Sequence, residues 1–107
     1  MTTVMFVLHL KDGGDLESAS RYWRTTHAEL AAAIPGVQAY TQFHATTAPD
    51  GGAAPFLGVA SLVFADDDAF GSAASSPEFA AAIADLDNFA DPTQMPTSFV
   101  ERVAVVG

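Results

Sequence analysis

His27 is the side chain whose placement in this sequence best suits acid–base chemistry. It lies four residues after Trp23 and three before Leu30, on the apolar stripe of a predicted helix that must face a core. An imidazole titrates near neutral pH, so it can act as a base or an acid wherever a pocket reaches it. His27 is therefore either a catalytic residue or a structural histidine whose nitrogens bond neighbouring backbone or hydroxyl groups.

A second group of polar side chains shares one face of a predicted strand. Tyr40, Gln42 and His44 alternate along the strand with Thr41 and Phe43, which point to the opposite side. If the polar face lines the interior of a dimer, these groups would orient the oxygen of a substrate, with His44 as a second catalytic candidate. The alternative is a solvated strand at the edge of a sheet.

The remaining motifs argue against most other chemistries. His9 ends a strand near a turn, where a surface position is expected, and the three histidines lack the spacing of a zinc site. The run Asp66 to Asp68 is typical of a helix start and lacks the features of a calcium loop. No cysteine is present, and no Ser-His-Asp arrangement, phosphate loop or dinucleotide fingerprint can be assigned. We therefore expect neither a metal nor a cofactor.

The order of the predicted elements is βαββαβ. The first helix runs from about Leu16 to Ile34, and a second helical region opens at Asp66 and is interrupted before Pro77. The predicted strands are Val4 to Leu10, Val37 to Thr47, Leu57 to Ala65 and Ser98 to Val106. Such an order folds as a four-stranded antiparallel sheet with two helices on one face, an α+β architecture.

Size and charge narrow the class of protein further. The 107 residues suit one domain spanning residues 1 to 107. The formal net charge of −9, with only four Lys and Arg residues, provides no basic face for nucleic acid. No apolar segment approaches the length of a membrane span, and the amino terminus does not resemble a signal peptide. We expect a soluble cytoplasmic protein that binds neither nucleic acid nor membrane.

The second face of the predicted sheet needs a cover. The first strand presents Val4, Phe6 and Leu8 to one side and Met5 and Val7 to the other, and the third and fourth strands are similarly apolar on both sides. Two helices can cover only one of these faces, and a monomer would expose the other. The simplest cover is the same face of a second copy, so we expect a homodimer.

Several segments of the sequence resemble the EthD family. They are Arg21 to Ala28 (RYWRTTHA), Ile34 to Gln42 (IPGVQAYTQ), Ser76-Pro77-Glu78, Asp87 to Asp91 (DNFAD) and Phe99 to Val103 (FVERV). The resemblance implies a ferredoxin-like dimeric α/β barrel and a role in the metabolism of small organic compounds. Among the residues it covers, we take Trp23 and Phe89, together with Tyr40 and Gln42, as substrate-binding candidates.

Three functional hypotheses follow. The first is a cofactor-independent enzyme that performs acid–base chemistry on a small hydrophobic molecule, with His27 and His44 as catalytic residues. Without a cofactor, its reaction would be of the isomerase, lyase, cyclase or monooxygenase type. The second is a non-catalytic small-molecule binding protein, and the third is a haem-binding protein of the same superfamily.

Overall fold

Four antiparallel strands form a single sheet in the computed structural model, which describes residues 1 to 107. The strands are β1 (Thr2–Leu8), β2 (Ala39–His44), β3 (Gly58–Phe64) and β4 (Thr97–Val100). Their spatial order is β2-β3-β1-β4. In the register of the central pair, Val4 lies opposite Leu62 and Phe6 lies opposite Ala60. This topology confirms the predicted βαββαβ arrangement.

The helices are more divided than the sequence predicts. The first comprises α1 (Leu16–Tyr22), a π-helical segment (Trp23–His27) and α2 (Ala28–Ala32). The second helical region comprises α3 (Asp67–Ala74), α4 (Pro77–Asp85) and a 3-10 turn (Leu86–Asn88). The side chains of Asp15, Asp66 and Ser76 cap α1, α3 and α4 by accepting backbone N–H groups of the first turns. None of these helices combines the length and hydropathy that crossing a membrane demands.

One face of the sheet packs against the helices and forms the core. Along β1, buried and half-buried residues alternate, and Val4, Phe6 and Leu8 belong to the core cluster. Trp23, Leu57 and Phe64 are the most completely enclosed large side chains, each at 0% exposure. The helix layer is thus anchored to the sheet by an indole that originates in the π segment.

The edge strands are shorter than predicted. β2 ends at His44 rather than Thr47, because His44 pairs with Gly58, the first residue of β3. β4 covers Thr97–Val100 rather than Ser98 to Val106. It pairs with β1, and Val100 lies opposite Thr3, next to the first residue of β1, so the residues after Val100 have no strand to pair with. Residues 101 to 107 are exposed and lie beyond the sheet.

Candidate functional site

An apolar cavity of about 40 Å³ lies between the sheet and the helices. Thirteen of its 14 lining residues are hydrophobic, and the remaining one is His27. The volume holds a few water molecules, whereas pockets for drug-sized ligands measure roughly 300–1,000 Å³. Among the lining residues, Phe79 and Met95 are half-buried and Ile83 is exposed. These side chains therefore form the part of the lining that is nearest to solvent.

The imidazole of His27 is held by a carboxylate from another helix. Its Nδ1 lies 2.9 Å from Oδ2 of Asp85, and the two side chains are only 7% and 10% exposed. Because the π segment ends at His27 and α4 ends at Asp85, the packing of these two helical ends creates the pair. The buried histidine is thereby satisfied on one nitrogen.

Asp85 is the centre of a small polar cluster. Its Oδ1 accepts hydrogen bonds from the Tyr22 hydroxyl at 2.7 Å and from the Asn88 amide at 2.9 Å. Burial raises the pKa of Asp85, but the hydrogen bonds from Tyr22, Asn88 and His27 together outweigh it and leave the pKa below its ordinary value. Asp85 is therefore a carboxylate at neutral pH.

The charge of Asp85 determines the tautomer of His27. A carboxylate only accepts, so Nδ1 of His27 must donate, and Nε2 keeps its lone pair. No protein group bonds Nε2, and His27 lines the cavity. Burial lowers the pKa of His27, and the hydrogen bond and charge of Asp85 oppose that shift. The imidazole is therefore neutral at pH 7 and can accept a proton from a molecule in the cavity.

Phe89 packs behind this pair rather than in the cavity wall. Its ring centroid lies 4.8 Å from that of His27 and 5.4 Å from that of Tyr22. It is buried and absent from the cavity lining. The structure places this predicted substrate-binding residue where it holds the His27 ring in position.

A second polar network runs along β2. Nε2 of His44 lies 2.7 Å from Oε1 of Gln42, and Nδ1 contacts the Ser20 hydroxyl. The amide nitrogen of Gln42 donates to the Tyr40 hydroxyl at 2.6 Å and to the backbone oxygen of Trp23 at 3.0 Å. Tyr40 lines the cavity, whereas Gln42 and His44 do not.

The β2 side chains Tyr40, Gln42 and His44 share a face, as the alternation predicts. That face packs on the helices of the same chain, on the side of the sheet opposite to the open face. The ring of His44 lies 4.3 Å from that of Trp23, which comes from the helical layer. Burial first and then the charge of Arg24 lower the pKa of His44. His27 and His44 belong to separate networks, and only His27 reaches the cavity.

The π-helical segment positions two of the candidate residues at once. Trp23 begins it and His27 ends it, and both side chains are buried. Such segments recur at functional sites because they change the direction of side chains within a helix. The sequence predicts the shared face of Trp23 and His27 but carries no signal for the π geometry.

Several participants were not predicted from the sequence. Asp85, Ser20 and Met95 were not among the candidates, although each contacts a candidate residue or lines the cavity, and Asn88 was not among them although it bonds Asp85. Asp85 is the last residue of a helix, and no spacing along the sequence links it to a histidine 58 positions away. His9 instead bonds the backbone oxygen of Gln94 at 2.9 Å.

The residues present do not suit a metal ion or a haem. No group of three His, Cys, Asp or Glu side chains could hold a metal. His27 has the free nitrogen and the carboxylate partner typical of an axial ligand. A cavity of about 40 Å³ is nevertheless far too small for a macrocycle. The haem hypothesis therefore does not fit this site.

The sheet order, the helix layer and the cavity between them define a ferredoxin-like α+β domain. The sequence model of the EthD domain matches residues 11–93. This chain belongs to the EthD family.

Solved structures show the same fold. An EthD family protein from Bacillus halodurans superposes with a TM-score of 0.77 at 20% identity, covering 96% of this chain and 100% of the other. A dimeric ferredoxin-like protein from Thermobifida fusca gives 0.67 at 18% identity, with 92% and 88% covered. SnoaB, a cofactor-independent oxygenase from Streptomyces nogalater, gives 0.64 at 20% identity, with 94% and 91% covered. The sequence matches none of the curated proteins.

Proposed function

We propose that this protein is a cofactor-independent enzyme that transfers protons on a small hydrophobic organic molecule, with His27 as the general base. One observation carries the proposal: Asp85 holds Nδ1 of a neutral, buried imidazole that lines an apolar cavity, while Nε2 has no partner in the protein. Two groups in this relationship form a base with an orienting partner, the arrangement of many proton-transfer sites.

The proposed step is simple. Nε2 of His27 removes a proton from a C–H or O–H group of the bound molecule, and the imidazolium that forms is stabilised by the Asp85 carboxylate. Return of the proton to another atom gives an isomerisation, and loss of a leaving group gives an elimination. Transfer of the substrate's own electrons to oxygen gives an oxygenation. The description of SnoaB as a cofactor-independent oxygenase supports the cofactor-free character of the chemistry on this fold.

We assign the β2 residues a supporting role. Tyr40 and Trp23 line the cavity and are placed to contact the ligand. Gln42 and His44, which do not reach the cavity, act as positioning residues because their hydrogen bonds hold Tyr40.

We also propose a homodimer that covers the open face of the sheet. Along β1 and β3 the side chains of Met5, Val7, Val59 and Val63 lie on the face without helices, and Phe43 on β2 is 58% exposed there. A stable interface buries at least roughly 1,200 Å² in total. The relatives from Thermobifida fusca and Bacteroides fragilis that share this fold are described as dimeric, which supports the same assembly.

Hydrogen–deuterium exchange tests the enzymatic proposal without knowledge of the product. The protein would be incubated in D₂O with a panel of small phenols and enolisable ketones, and NMR would follow the loss of their exchangeable C–H signals. Exchange above the buffer rate supports the proposal. A ligand that raises the melting temperature without any exchange would instead favour a non-catalytic binding protein, which the almost wholly apolar cavity wall also suits.

A further inference from the structure

The indole N–H of Trp23 is a buried hydrogen-bond donor without an acceptor in the protein. It is the one fully enclosed side-chain polar atom that lacks a partner. Trp23 is 0% exposed and lines the cavity. Buried indole N–H groups usually find an acceptor, so an unpartnered donor on a residue that lines a cavity suggests a ligand that supplies one.

The hydroxyl of Tyr40, which lines the same cavity, is a second donor. Its oxygen accepts the amide hydrogen of Gln42 at 2.6 Å, and its own proton has no acceptor in the protein. Burial raises the pKa of Tyr40, and the hydrogen bond from Gln42 opposes the shift, as does the Trp23 N–H, which is close to the Tyr40 oxygen but forms no hydrogen bond of acceptable geometry with it. The hydroxyl therefore stays protonated and able to donate at neutral pH.

The β2 network determines which way these groups point. Arg24 donates to the Ser20 hydroxyl at 3.2 Å, and Ser20 in turn contacts Nδ1 of His44. With Nδ1 accepting, Nε2 of His44 must donate to Oε1 of Gln42. This contact turns the amide nitrogen of Gln42 toward Tyr40. The Tyr40 oxygen is thus occupied as an acceptor, and only its proton remains for a ligand.

We infer that Trp23 and Tyr40 form a binding site for a ligand oxygen that carries negative charge, such as that of a phenolate or an enolate. The inference deepens the proposed function and rests on it for the step that creates the charge. His27 takes the proton from the carbon beside a carbonyl, and the C–H electron pair forms a C=C bond. The carbonyl π pair moves onto the oxygen, which the two donors then stabilise. The substrate class is a planar phenol or an enolisable carbonyl compound.

The single tryptophan makes this site directly observable. The ¹⁵N-labelled protein would be titrated with 4-nitrophenol and, as a control, with 4-nitroanisole, which has the same ring but no ionisable oxygen. We expect the indole N–H resonance of Trp23 to move downfield with 4-nitrophenol and to stay nearly fixed with 4-nitroanisole. No binding of 4-nitrophenol, or binding that leaves the indole signal in place, would overturn the inference.

The visible absorbance of the nitrophenolate gives a second readout. Preferential binding of the anion by about tenfold would lower the ligand's pKa by about one unit. Tyr40→Phe removes the phenolic donor, and we expect it to abolish most of that preference. Thr41→Val is the matched control, because it removes a hydroxyl one position along β2 on the opposite face. An equal preference in wild type and Tyr40→Phe would contradict the inference.

These measurements separate this inference from the proposed function. Anion binding that depends on Tyr40, together with no deuterium exchange, would retain the donor site and remove the enzymatic proposal. Deuterium exchange that depends on His27, together with anion binding that does not depend on Tyr40 or Trp23, would retain the enzymatic proposal and remove the donor site.

Discussion

Nδ1 of His27 lies 2.9 Å from Oδ2 of Asp85, although 58 positions separate the two residues along the chain. The contact explains how a polar ring is tolerated on the apolar stripe of the first helix, since its buried donor is satisfied by a charged acceptor. It also leaves the second ring nitrogen free at the cavity. The same contact therefore satisfies a buried polar group and, in the proposed function, keeps Nε2 of His27 available as the base.

Asp85→Asn tests whether the carboxylate strengthens the base. The hydrogen bond and charge of Asp85 raise the pKa of His27 against the effect of burial, so we expect the pKa to fall further in the variant. The imidazolium also loses its charged partner, and the exchange rate should fall by about tenfold or more. NMR titration of the His27 ring and the D₂O exchange rate measure both effects. Asp87→Asn is the control, because Asp87 is 71% exposed and pairs with Lys11; an identical effect of both substitutions would refute the role of Asp85.

The buried histidine predicts a pH-dependent stability. The pKa of His27 is lower in the folded protein than its ordinary value of 6.5, so below pH 6.5 the unfolded chain binds more protons at this residue than the folded protein does. Stability is then fully present above pH 6.5 and declines as the pH falls below it, with His44 contributing in the same direction. Melting temperatures between pH 7.5 and pH 5 should fall in wild type and fall less in His27→Asn. Parallel curves for the two proteins would disprove this assignment.

Gly58 provides the space that Trp23 occupies. A Cβ atom at position 58 would lie 2.2 Å from the backbone oxygen of Phe43 and 2.5 Å from the Trp23 ring. Gly58→Ala should therefore cost about 3 kcal/mol in the free energy of unfolding. Gly71→Ala is the matched control, since nothing lies within 4 Å of a Cβ there and the site is inside α3. Gly71→Ala should stabilise the protein by about 0.5–1 kcal/mol. Chemical denaturation measures the free energy of unfolding of both variants, and equal effects would contradict the close packing of Trp23 against Gly58.

Substitutions at two neighbouring residues of β3 distinguish the proposed dimer interface from the core. Leu62 is 4% exposed and belongs to the core, whereas Val63 is half-buried on the open face of the sheet. Val63→Asp should give a folded monomer, because it places a charge in the proposed interface. Leu62→Asp should prevent folding. Light scattering and circular dichroism measure these outcomes, and a wild-type protein that is monomeric at micromolar concentration would rule out the dimer.

Local pattern predicted much of the fold and part of the site. The spacing of Trp23 and His27 correctly indicates one buried helix face, and the alternation of Tyr40, Gln42 and His44 correctly indicates one strand face. Periodicity reports which residues share a side, but it does not report what covers that side. The position of the β2 polar face under the helices was therefore beyond sequence reasoning.

The partners of the predicted residues follow from tertiary packing. Asp85 meets His27 only because the end of α4 packs beside the π segment, and no local motif links two such distant positions. The end of β4 was also wrong in the prediction, because Val103, Val105 and Val106 have strand-forming side chains but no neighbouring strand to pair with. The cytoplasmic location expected from the sequence stays a prediction.

His27→Asn measures the central claim most directly. Asparagine is similar in shape and can still donate to Asp85, but it cannot accept a proton at neutral pH. We predict that the variant keeps most of its thermal stability at pH 7.5 and loses deuterium exchange by about a hundredfold or more. A variant that unfolds at lower temperature yet exchanges its ligand as fast per folded molecule as wild type would show that His27 is structural.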